Sequence, residues 1–400
     1  MKNSAFILLF GTLLACTSTK TKAPVASYAT TATPAPSPLT THVEAVRKQF
    51  APDKRTVLFD VTAKENGVLS GETIVPEAKA ALLSKLQAAN LAYTDSITVL
   101  PEAELEGKHY GVVTISVANI RSQPKHPAEL ATQATMGTPV KVWKKENGWY
   151  LVQTPDNYLA WVDYAGIKLM TKAELDTWQK GEKLIYTNPY GFALTSADKQ
   201  SATISDLVYG DVVVLKNKTK DFYEVNFPDG RTGFILAAEA MPYKNWIASR
   251  QPSEENLVKT SKQLLGLPYL WGGTSFKGVD CSGFTKTVYF MNGIVLPRDA
   301  SQQVHEGELV DTDKNWDKLR PGDLLFFGVP AKDGKPERVV HVGMWIGGDK
   351  EFIHSAGRVR INSMNPAAAN YDDYENNRYL RTKRMKPSQN LIDLRASSIY

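Results

Sequence analysis

The stretch LPYLWGGTSFKGVDCSGFTKTVYF, residues 267–290, decides the fold of the C-terminal part of the chain. Its three glycines, Gly272, Gly273 and Gly278, permit a tight turn, and Asp280 suits the N-cap of the helix predicted to follow. Cys281 would then lie in the first helical turn, where backbone N–H groups and the helix dipole favour an anion. We expect this position to lower the thiol pKa and to make Cys281 a nucleophile. The same N–H groups could stabilise an oxyanion.

The alternative interpretation of Cys281 is a small apolar residue packed near a helix start. Its neighbours Asp280 and Ser282 are polar, and glycines flank the segment. Such neighbours do not suit the end of a core helix, so they favour the nucleophile.

A cysteine nucleophile needs a base, and the base needs a group that orients it. Among six histidines, His341 and His354 lie on the two strands of one predicted hairpin, VVHVGMWIG and EFIHSAG, with a two-residue turn at Gly348-Asp349. In that register position 341 faces position 356, and His354 is a diagonal neighbour of His341 on the same face. The pattern predicts that His341 is the base and that His354 fixes its tautomer.

Two histidines on one face of a hairpin could also bind a metal ion. No carboxylate follows them at ligand spacing, and a nearby thiolate explains the pair without a metal. We therefore expect no metal and no cofactor. His305, which follows SQQV on a predicted helix, is interpreted as a surface or packing residue.

The N-terminus has the pattern of an exported lipoprotein. Lys2 is followed by an apolar run, residues 5–14, that is too short to span a membrane and fits the core of a signal peptide. The run ends in Leu13-Leu14-Ala15-Cys16, which resembles the bacterial lipoprotein box and predicts lipidation of Cys16 and a membrane anchor. A plain secretory signal is the alternative. If sorting is Gram-negative, the absence of an early Asp favours the outer membrane facing the periplasm.

The cysteine count makes Cys281 more informative. Cys16 and Cys281 are the two cysteines of the chain, so a lipidated Cys16 leaves Cys281 as the one thiol in an exported, oxidising setting. An unpaired thiol there is either buried and inert or reactive.

The 400 residues divide by composition into seven segments. A signal peptide (1–15) and a tether rich in Thr, Ala, Pro and Ser (16–40) precede a small α/β unit (41–107) with an expected structural or spacer role. Two stretches of short strands follow (108–170 and 171–247) and resemble a tandem pair of bacterial SH3-like barrels, with turns Pro155-Asp156-Asn157 and Pro228-Asp229-Gly230 in matching places. The domain with Cys281 (248–386) and a polar tail (387–400) complete a multidomain α+β chain.

Composition and charge exclude one class of partner. Hydrophobic residues make up 42% and charged residues 22%, which is ordinary for a globular protein, and the net charge of +5 is spread over the whole length. No run of Lys and Arg is dense enough to indicate nucleic-acid binding. We expect a monomer that does not bind nucleic acid.

Residues 250–385 resemble the NlpC-type cell-wall cysteine peptidases. The resemblance rests on motifs in the family's order: PYLWGG, DCSGF, GIVLPRDASQQ, LRPGDLLFF, HVGMWIG and FIHSAG. It implies a papain-like α/β fold, with Cys281 as the nucleophile, His341 as the base and His354 as the third polar residue.

The SH3-like pair makes the chain similar to the γ-D-glutamyl-L-diamino acid peptidases of this family. That similarity implies cleavage between D-Glu and Lys or diaminopimelate in murein peptides with a free N-terminal L-Ala, in cell-wall recycling. It also implies that the first barrel closes one end of the cleft and binds the free amine. The implied substrate contacts are Glu129, Tyr158, Tyr269, Trp271, Asp280, Ser282 and Ser301. Relatives place a serine just after PRD, where this chain has Ala300 and then Ser301.

Two other functions remain open. An endopeptidase acting on intact peptidoglycan stems would meet an N-terminus that is amide-linked to glycan, and it would need an open first barrel. A non-catalytic wall-binding protein would not need Cys281, His341 and His354, and their presence argues against it.

Overall fold

A computed structural model describes residues 37–388 and 390–400. The predicted signal peptide, the predicted lipidation site Cys16 and the predicted tether up to residue 36 lie outside the described residues. Residues Pro38–Tyr400 form one unit. None of the described helices is long and apolar enough to cross a membrane.

The N-terminal unit is a three-stranded sheet covered by two helices. Strands β1 and β2 pair antiparallel, and β2 and β3 pair parallel through the crossover helix α2. Leu82 and Leu86, spaced i and i+4 on α2, are fully buried against the sheet, and each such burial contributes about 1.5–3 kcal/mol. The first helix begins at Pro38, inside the segment predicted as tether. The elements are α1 (Pro38–Phe50), β1 (Phe59–Ala63), β2 (Val68–Thr73), α2 (Pro76–Ala88) and β3 (Thr94–Val99).

The first SH3-like domain is a seven-stranded antiparallel sheet with the order β10-β4-β7-β8-β9-β5-β6. The strands are β4 (Tyr110–Val113), β5 (Val117–Arg121), β6 (Leu130–Thr135), β7 (Pro139–Glu146), β8 (Trp149–Gln153), β9 (Leu159–Asp163) and β10 (Ile167–Met170). Within the described residues the sheet is not closed into the expected barrel, because β10 and β6 remain its two edges. The β6 edge is instead covered by the C-terminal domain, where Thr274 donates to the carbonyl oxygen of Gln133 at 3.0 Å.

The second SH3-like domain repeats this topology with the order β13-β12-β16-β15-β14-β11-β17. Read from the other edge, each strand occupies the place of its counterpart in the first domain, so the predicted repeat is also a structural repeat. Helix α3 (Lys172–Lys180) joins the two domains. The strands are β11 (Lys183–Tyr186), β12 (Tyr190–Leu194), β13 (Thr203–Val208), β14 (Val212–Lys218), β15 (Phe222–Asn226), β16 (Thr232–Leu236) and β17 (Ala240–Pro242), and α4 (Tyr243–Ala248) follows.

The C-terminal domain packs helix α6 against a six-stranded antiparallel sheet with the order β21-β26-β22-β23-β24-β25. Phe284 and Val288 of α6 share a buried core with Met344 and Ile353 of the central strands. The helices are α5 (Glu254–Gln263), α6 (Cys281–Phe290), α7 (Ala300–Gln303) and α8 (Asp373–Asn377). The sheet strands are β21 (Glu308–Asp311), β22 (Leu324–Val329), β23 (Arg338–Gly347), β24 (Glu351–Ala356), β25 (Arg358–Ser363) and β26 (Tyr379–Arg384); short pairs are β18 (Thr274–Ser275) with β19 (Gly278–Val279), and β20 (Ile294–Val295) with β27 (Ile392–Asp393).

The C-terminal residues, whose sequence is polar, pack on the domains that precede them. Strand β27 pairs with β20, and Leu394 is buried. The ring of Tyr400 lies 5.4 Å from that of Tyr243. These residues therefore join the C-terminal domain to the second SH3-like domain.

Candidate active site

Cys281 is the first residue of α6, as the sequence predicts. The side chain of Asp280 caps the helix by accepting the backbone N–H of Gly283 at 2.7 Å. Gly272, with φ +80°, lets the preceding loop meet the first SH3-like domain, because a Cβ there would lie 2.2 Å from the carbonyl oxygen of Leu130. The glycines thus bring the nucleophile loop against its neighbouring domain.

The predicted hairpin places His341 on β23 and His354 on β24. Met344 pairs with Ile353, which is the register in which position 341 faces position 356. The turn itself differs from the prediction, because it has three residues, 348–350, rather than two. A bulge between Trp345 and Gly347 takes up the extra residue and restores the register.

The hydrogen bonds of the hairpin fix the tautomers of both imidazoles. His354 Nε2 lies 3.2 Å from Oδ1 of Asn362, whose Nδ2 donates to the carbonyl oxygen of Asn370. Because Oδ1 can only accept, His354 Nε2 carries the proton and Nδ1 is left as an acceptor. His341 Nε2 lies 2.8 Å from that Nδ1 and must donate to it. His341 Nδ1 is therefore unprotonated, as a general base requires.

A carboxylate and a guanidinium also lie near Nε2 of His354. Asp372 Oδ2 lies 3.9 Å from Nε2, and Arg360 Nε lies 3.5 Å from it. The carboxylate favours a proton at Nε2. The Arg360 contact is longer than the one to Asn362, so the amide oxygen decides the tautomer.

The thiol lies beside the base. Cys281 accepts the backbone N–H of Val342, the residue that follows His341. Burial and the neighbouring Asp280 carboxylate raise the pKa of the Cys281 thiol to about 12, although that N–H opposes the shift. The expectation of a lowered thiol pKa was therefore wrong, because burial outweighs the helix terminus.

The histidines are also neutral in the free protein. Burial lowers the pKa of His341 well below its usual value, and His354, Arg378 and Arg360 act in the same direction. Burial lowers the pKa of His354 to about 4. These shifts favour a neutral thiol and neutral imidazoles, so the thiol proton moves to His341 as the sulfur attacks.

A carboxylate does approach the histidine pair, contrary to the argument from sequence spacing. Helix α8 brings Glu375 Oε1 to 3.6 Å from His341 Nε2, and the nearest nitrogen or oxygen atoms of His341, His354 and Glu375 lie within 4.8 Å of one another. These three residues could offer ligands to a metal ion. The ligand atoms already have protein partners, because the imidazoles bond to each other and Arg378 binds both oxygens of Glu375 at 2.6 and 2.8 Å.

Arg298 holds two of the predicted substrate contacts in place. Its guanidinium donates to Asp280 Oδ2 at 2.6 Å and to Ser282 Oγ at 3.0 Å, and only 1% of its side chain is exposed. Asp280 and Ser282 therefore form a buried cluster on either side of Cys281. Sequence reasoning did not single out Arg298, although it lies in the GIVLPRDASQQ motif.

All seven predicted substrate contacts line one cleft with Cys281. The cleft has a volume of about 530 Å³. Within this lining, exposed Glu129 accepts from Trp271 Nε1 at 2.6 Å, and buried Tyr158 donates to Asp299 Oδ2 at 3.1 Å. Tyr269 and Trp271 line the same cleft. Asp299 was missed by sequence reasoning, although it stands in the same motif as Arg298.

The N-terminal unit reaches into this cleft, which the expectation of a spacer did not foresee. Arg55 donates to Asp299 Oδ2 at 2.7 Å and to Ser301 Oγ at 2.9 Å. Ser301, and not the buried Ala300, thus supplies the hydroxyl after the PRD motif. Nothing in the sequence around Arg55 indicates this contact, because it joins residues far apart in the chain.

A helix-borne cysteine beside a strand-borne histidine pair defines the class of protein, which is a cysteine peptidase. The sequence pattern of the NlpC/P60 family matches residues 266–378, and that of the bacterial SH3 domain matches residues 116–168. The chain belongs to the NlpC/P60 family.

Relatives of known sequence and structure cover much of the chain. The γ-D-glutamyl-L-lysine dipeptidyl-peptidase of Bacillus cereus is 32% identical over 233 residues, which are 57% of this chain and 67% of that one. Its counterpart from Bacillus subtilis is 30% identical over 237 residues, 56% of this chain and 72% of that one. The crystal structure of an NlpC/P60 family protein from Bacillus cereus matches with a TM-score of 0.57 at 27% identity, over 70% of this chain and 100% of that chain.

Proposed function

We propose that this protein hydrolyses the γ-D-glutamyl–diamino acid bond, to Lys or diaminopimelate, of murein peptides that carry a free N-terminal L-Ala, in cell-wall recycling. One observation carries the proposal: the cleft that contains Cys281 is also lined by the acidic side chains of Asp299 and Glu129 and by the phenol of Tyr158, a group that we call the amine end. The similarity to peptidases named for γ-D-glutamyl-L-lysine supports the same bond.

The amine end of the cleft suits a primary ammonium group. Carboxylates and a phenol can accept its hydrogen bonds and offset its charge. A substrate without the ammonium would lose its ion pairs with Asp299 and Glu129, each worth about 1 kcal/mol at such partly exposed positions. The cleft therefore favours a free L-Ala amine over an acylated one.

The chemistry follows from the tautomers. Cys281 Sγ attacks the γ-carbonyl carbon of D-Glu while His341 Nδ1 takes the thiol proton, and N–H groups of the first turn of α6 stabilise the oxyanion. When the tetrahedral intermediate collapses, His341 gives this proton to the departing amine of the diamino acid, and a thioester remains. His341 then removes a proton from water, the hydroxide attacks the thioester, and the thiol is restored.

The substrate test uses L-Ala-γ-D-Glu-L-Lys and its N-acetylated form. We expect release of lysine from the free peptide and much slower release from the acetylated one, measured by chromatography of the products. The same pair made with diaminopimelate tests the second diamino acid. Equal cleavage of free and acetylated peptides would instead support the alternative, an endopeptidase on intact stems.

The nucleophile and base are tested by substitution. Cys281→Ala and His341→Ala should each lower kcat by on the order of a thousandfold or more. His305→Ala is the matched control, because His305 is exposed and lies outside the cleft. Retained activity in the Cys281→Ala protein, folded by circular dichroism, would reject the nucleophile and leave a wall-binding role.

The place of action is also part of the proposal. The segment Leu13-Leu14-Ala15-Cys16 supports export and lipid attachment at Cys16 to the cell envelope, at the outer membrane facing the periplasm. Labelling of cells with a radioactive fatty acid should mark the protein and not its Cys16→Ala variant. We further propose that the protein is a monomer, which light scattering of the protein without its first 36 residues would test.

A further inference from the structure

Arg55 belongs to a part of the chain with no assigned role in the site. It lies between α1 and β1, outside the segments 116–168 and 266–378 that match the two family patterns. The loop around it is fixed to the first SH3-like domain: Leu159 N donates to the carbonyl oxygen of Arg55 at 2.7 Å, and Gln153 Nε2 donates to that of Thr56 at 2.9 Å. The backbone of Arg55 is therefore held in place beside the cleft that its residue lines.

The guanidinium of Arg55 is held from two sides. Asp53 accepts from its Nε at 2.8 Å and from its Nη2 at 2.7 Å. The remaining nitrogen, Nη1, reaches across to Asp299 and Ser301 at 2.7 and 2.9 Å. Gln302 Nε2 also donates to Asp53, at 2.9 Å. The side chain thus spans from the N-terminal unit to the C-terminal domain in one defined position.

Arg55 meets Asp299 at the oxygen that also binds Tyr158. Asp299 Oδ2 accepts from Arg55 Nη1 and from the hydroxyl of Tyr158, and all three residues line the cleft with Cys281. A substrate amine at Asp299 therefore has the guanidinium next to it. An acyl group on that amine would compete with Arg55 for the space beside Asp299.

We propose that Arg55 is a specificity-determining residue that closes the amine end of the cleft and excludes N-acylated substrates. This inference rests on the proposed function. A free ammonium is small enough to fit in front of the guanidinium, and it is paired by Asp299 and Glu129. An acylated nitrogen has neither the charge to pair with these carboxylates nor the room for its acyl group. Through Arg55, the N-terminal unit thus contributes to substrate specificity and is not a spacer.

The test compares free and acetylated substrate in matched arginine variants. Arg395→Ala is the control, because Arg395 binds Asp393 with distances like those of Arg55 and Asp53, 2.8 and 2.6 Å, but does not line the cleft. The ratio of kcat/KM for N-acetyl-L-Ala-γ-D-Glu-L-Lys to that for the free tripeptide should rise about tenfold or more in Arg55→Ala. Arg55→Lys should give a smaller rise, and Arg395→Ala none.

Arg55→Gln serves the same test if Arg55→Ala does not fold, because it keeps most of the side chain's volume without its charge. A ratio that is unchanged in the folded Arg55 variants would overturn the inference. So would wild-type protein that cleaves both peptides equally, since nothing would then be excluded.

Binding separates this inference from the proposed function. Calorimetry measures the affinity for L-Ala-γ-D-Glu and for its N-acetyl form without turnover. The two proteins compared are the Cys281→Ala variant and the Cys281→Ala variant that also carries Arg55→Ala. If the free peptide is neither bound nor cleaved, the proposed function is rejected, and the role of Arg55 is rejected with it. If both proteins bind the free form over the N-acetyl form with the same preference, only the proposed role of Arg55 is rejected.

Discussion

The two SH3-like domains have the same strand order and use the same turn in different ways. In the first domain, Asp156 of the Pro155–Asn157 turn accepts from Lys286 at 2.6 Å, and Lys286 lies on α6, the helix that begins with Cys281. In the second domain, Asp229 at the matching place pairs with Arg231 of its own domain at 2.7 Å. The first copy of the turn joins the helix of Cys281, whereas the second pairs with an arginine whose Nη2 donates to the carbonyl oxygen of Thr114 in the first domain at 3.0 Å.

The second domain supports the first and contributes no side chain to the described lining of the cleft. Asp206 accepts from Ser116 of the first domain at 2.8 Å and from Lys277 of the C-terminal domain at 2.7 Å. On its other side, Tyr209 accepts from the buried Trp246 at 2.8 Å. The second domain also packs on α6, where the ring of Trp246 lies 5.7 Å from that of Phe290, the last residue of the helix. The difference teaches that the part of α6 that a domain meets, and not the domain's own fold, decides which copy shapes the site.

The largest expected difference between the two turns is the loss of unfolding free energy when the aspartate of each turn is replaced. Asp156→Ala leaves Lys286 buried without its partner, because the two side chains are only 7% and 13% exposed, and we expect a loss of about 3–5 kcal/mol of unfolding free energy. Asp229→Ala removes an exposed pair and should cost less than about 1 kcal/mol. Urea unfolding followed by fluorescence measures both. Equal losses would show that the matching turns are equivalent.

Removing a tyrosine hydroxyl from each SH3-like domain should change kcat/KM to different extents. Tyr158→Phe removes a hydrogen bond to the Asp299 carboxylate at the amine end, so kcat/KM should fall by about 10- to 100-fold. Tyr186→Phe removes a similar bond in the second domain, to Glu239 at 2.9 Å, and should leave kcat/KM unchanged. A similar loss in the two variants, measured with the free tripeptide, would contradict the assignment of the amine site to the first domain.

Removing a glutamate from each SH3-like domain should give a smaller difference, which is in KM. Glu129→Ala should raise KM for the free tripeptide about fivefold, as expected for an exposed pair worth about 1 kcal/mol. Glu224→Ala, which removes a surface pair with Lys216 in the second domain, should leave KM unchanged. If KM of the Glu129→Ala protein matches that of the wild type, Glu129 does not bind the amine.

The pH profile separates the amine end from the catalytic centre. His341 acts as a base only when neutral, and burial holds its pKa well below the usual value. The rate constant kcat should therefore stay level as pH falls from 7 to about 6. The substrate amine loses its proton above a pKa of about 8, so KM should rise about fourfold by about pH 8.5. A fall in kcat with a midpoint near pH 6.5 would contradict the buried, neutral base.

Local patterns in the sequence predict the elements that carry the chemistry. Alternation along VVHVGMWIG and EFIHSAG gives the register of His341 and His354, even though the turn is one residue longer than expected, because the bulge compensates. The cap at Asp280 and the helix from Cys281 are equally local. The thiol pKa was predicted wrongly because a helix terminus is visible in sequence, whereas burial is a property of the folded domain.

The residues that sequence reasoning missed act across long separations. Arg298 reaches back to Asp280, Glu375 arrives on α8 beside His341, and Arg55 meets Asp299 from another domain. No periodicity or spacing in one sequence reports such contacts, because they depend on how the domains pack. The charged side chains in the GIVLPRDASQQ motif were the one available signal.

The histidine chain ends at Asn362, and an amide group neither gains nor loses a proton near neutral pH. In the proposed reaction, the proton taken from the thiol therefore has no titrating acceptor at Asn362 and remains on the imidazoles until the diamino acid departs. The amide thus leaves the proton available for the leaving amine, and the Asp372 carboxylate, 3.9 Å from Nε2 of His354, can stabilise the charge of the imidazole pair meanwhile.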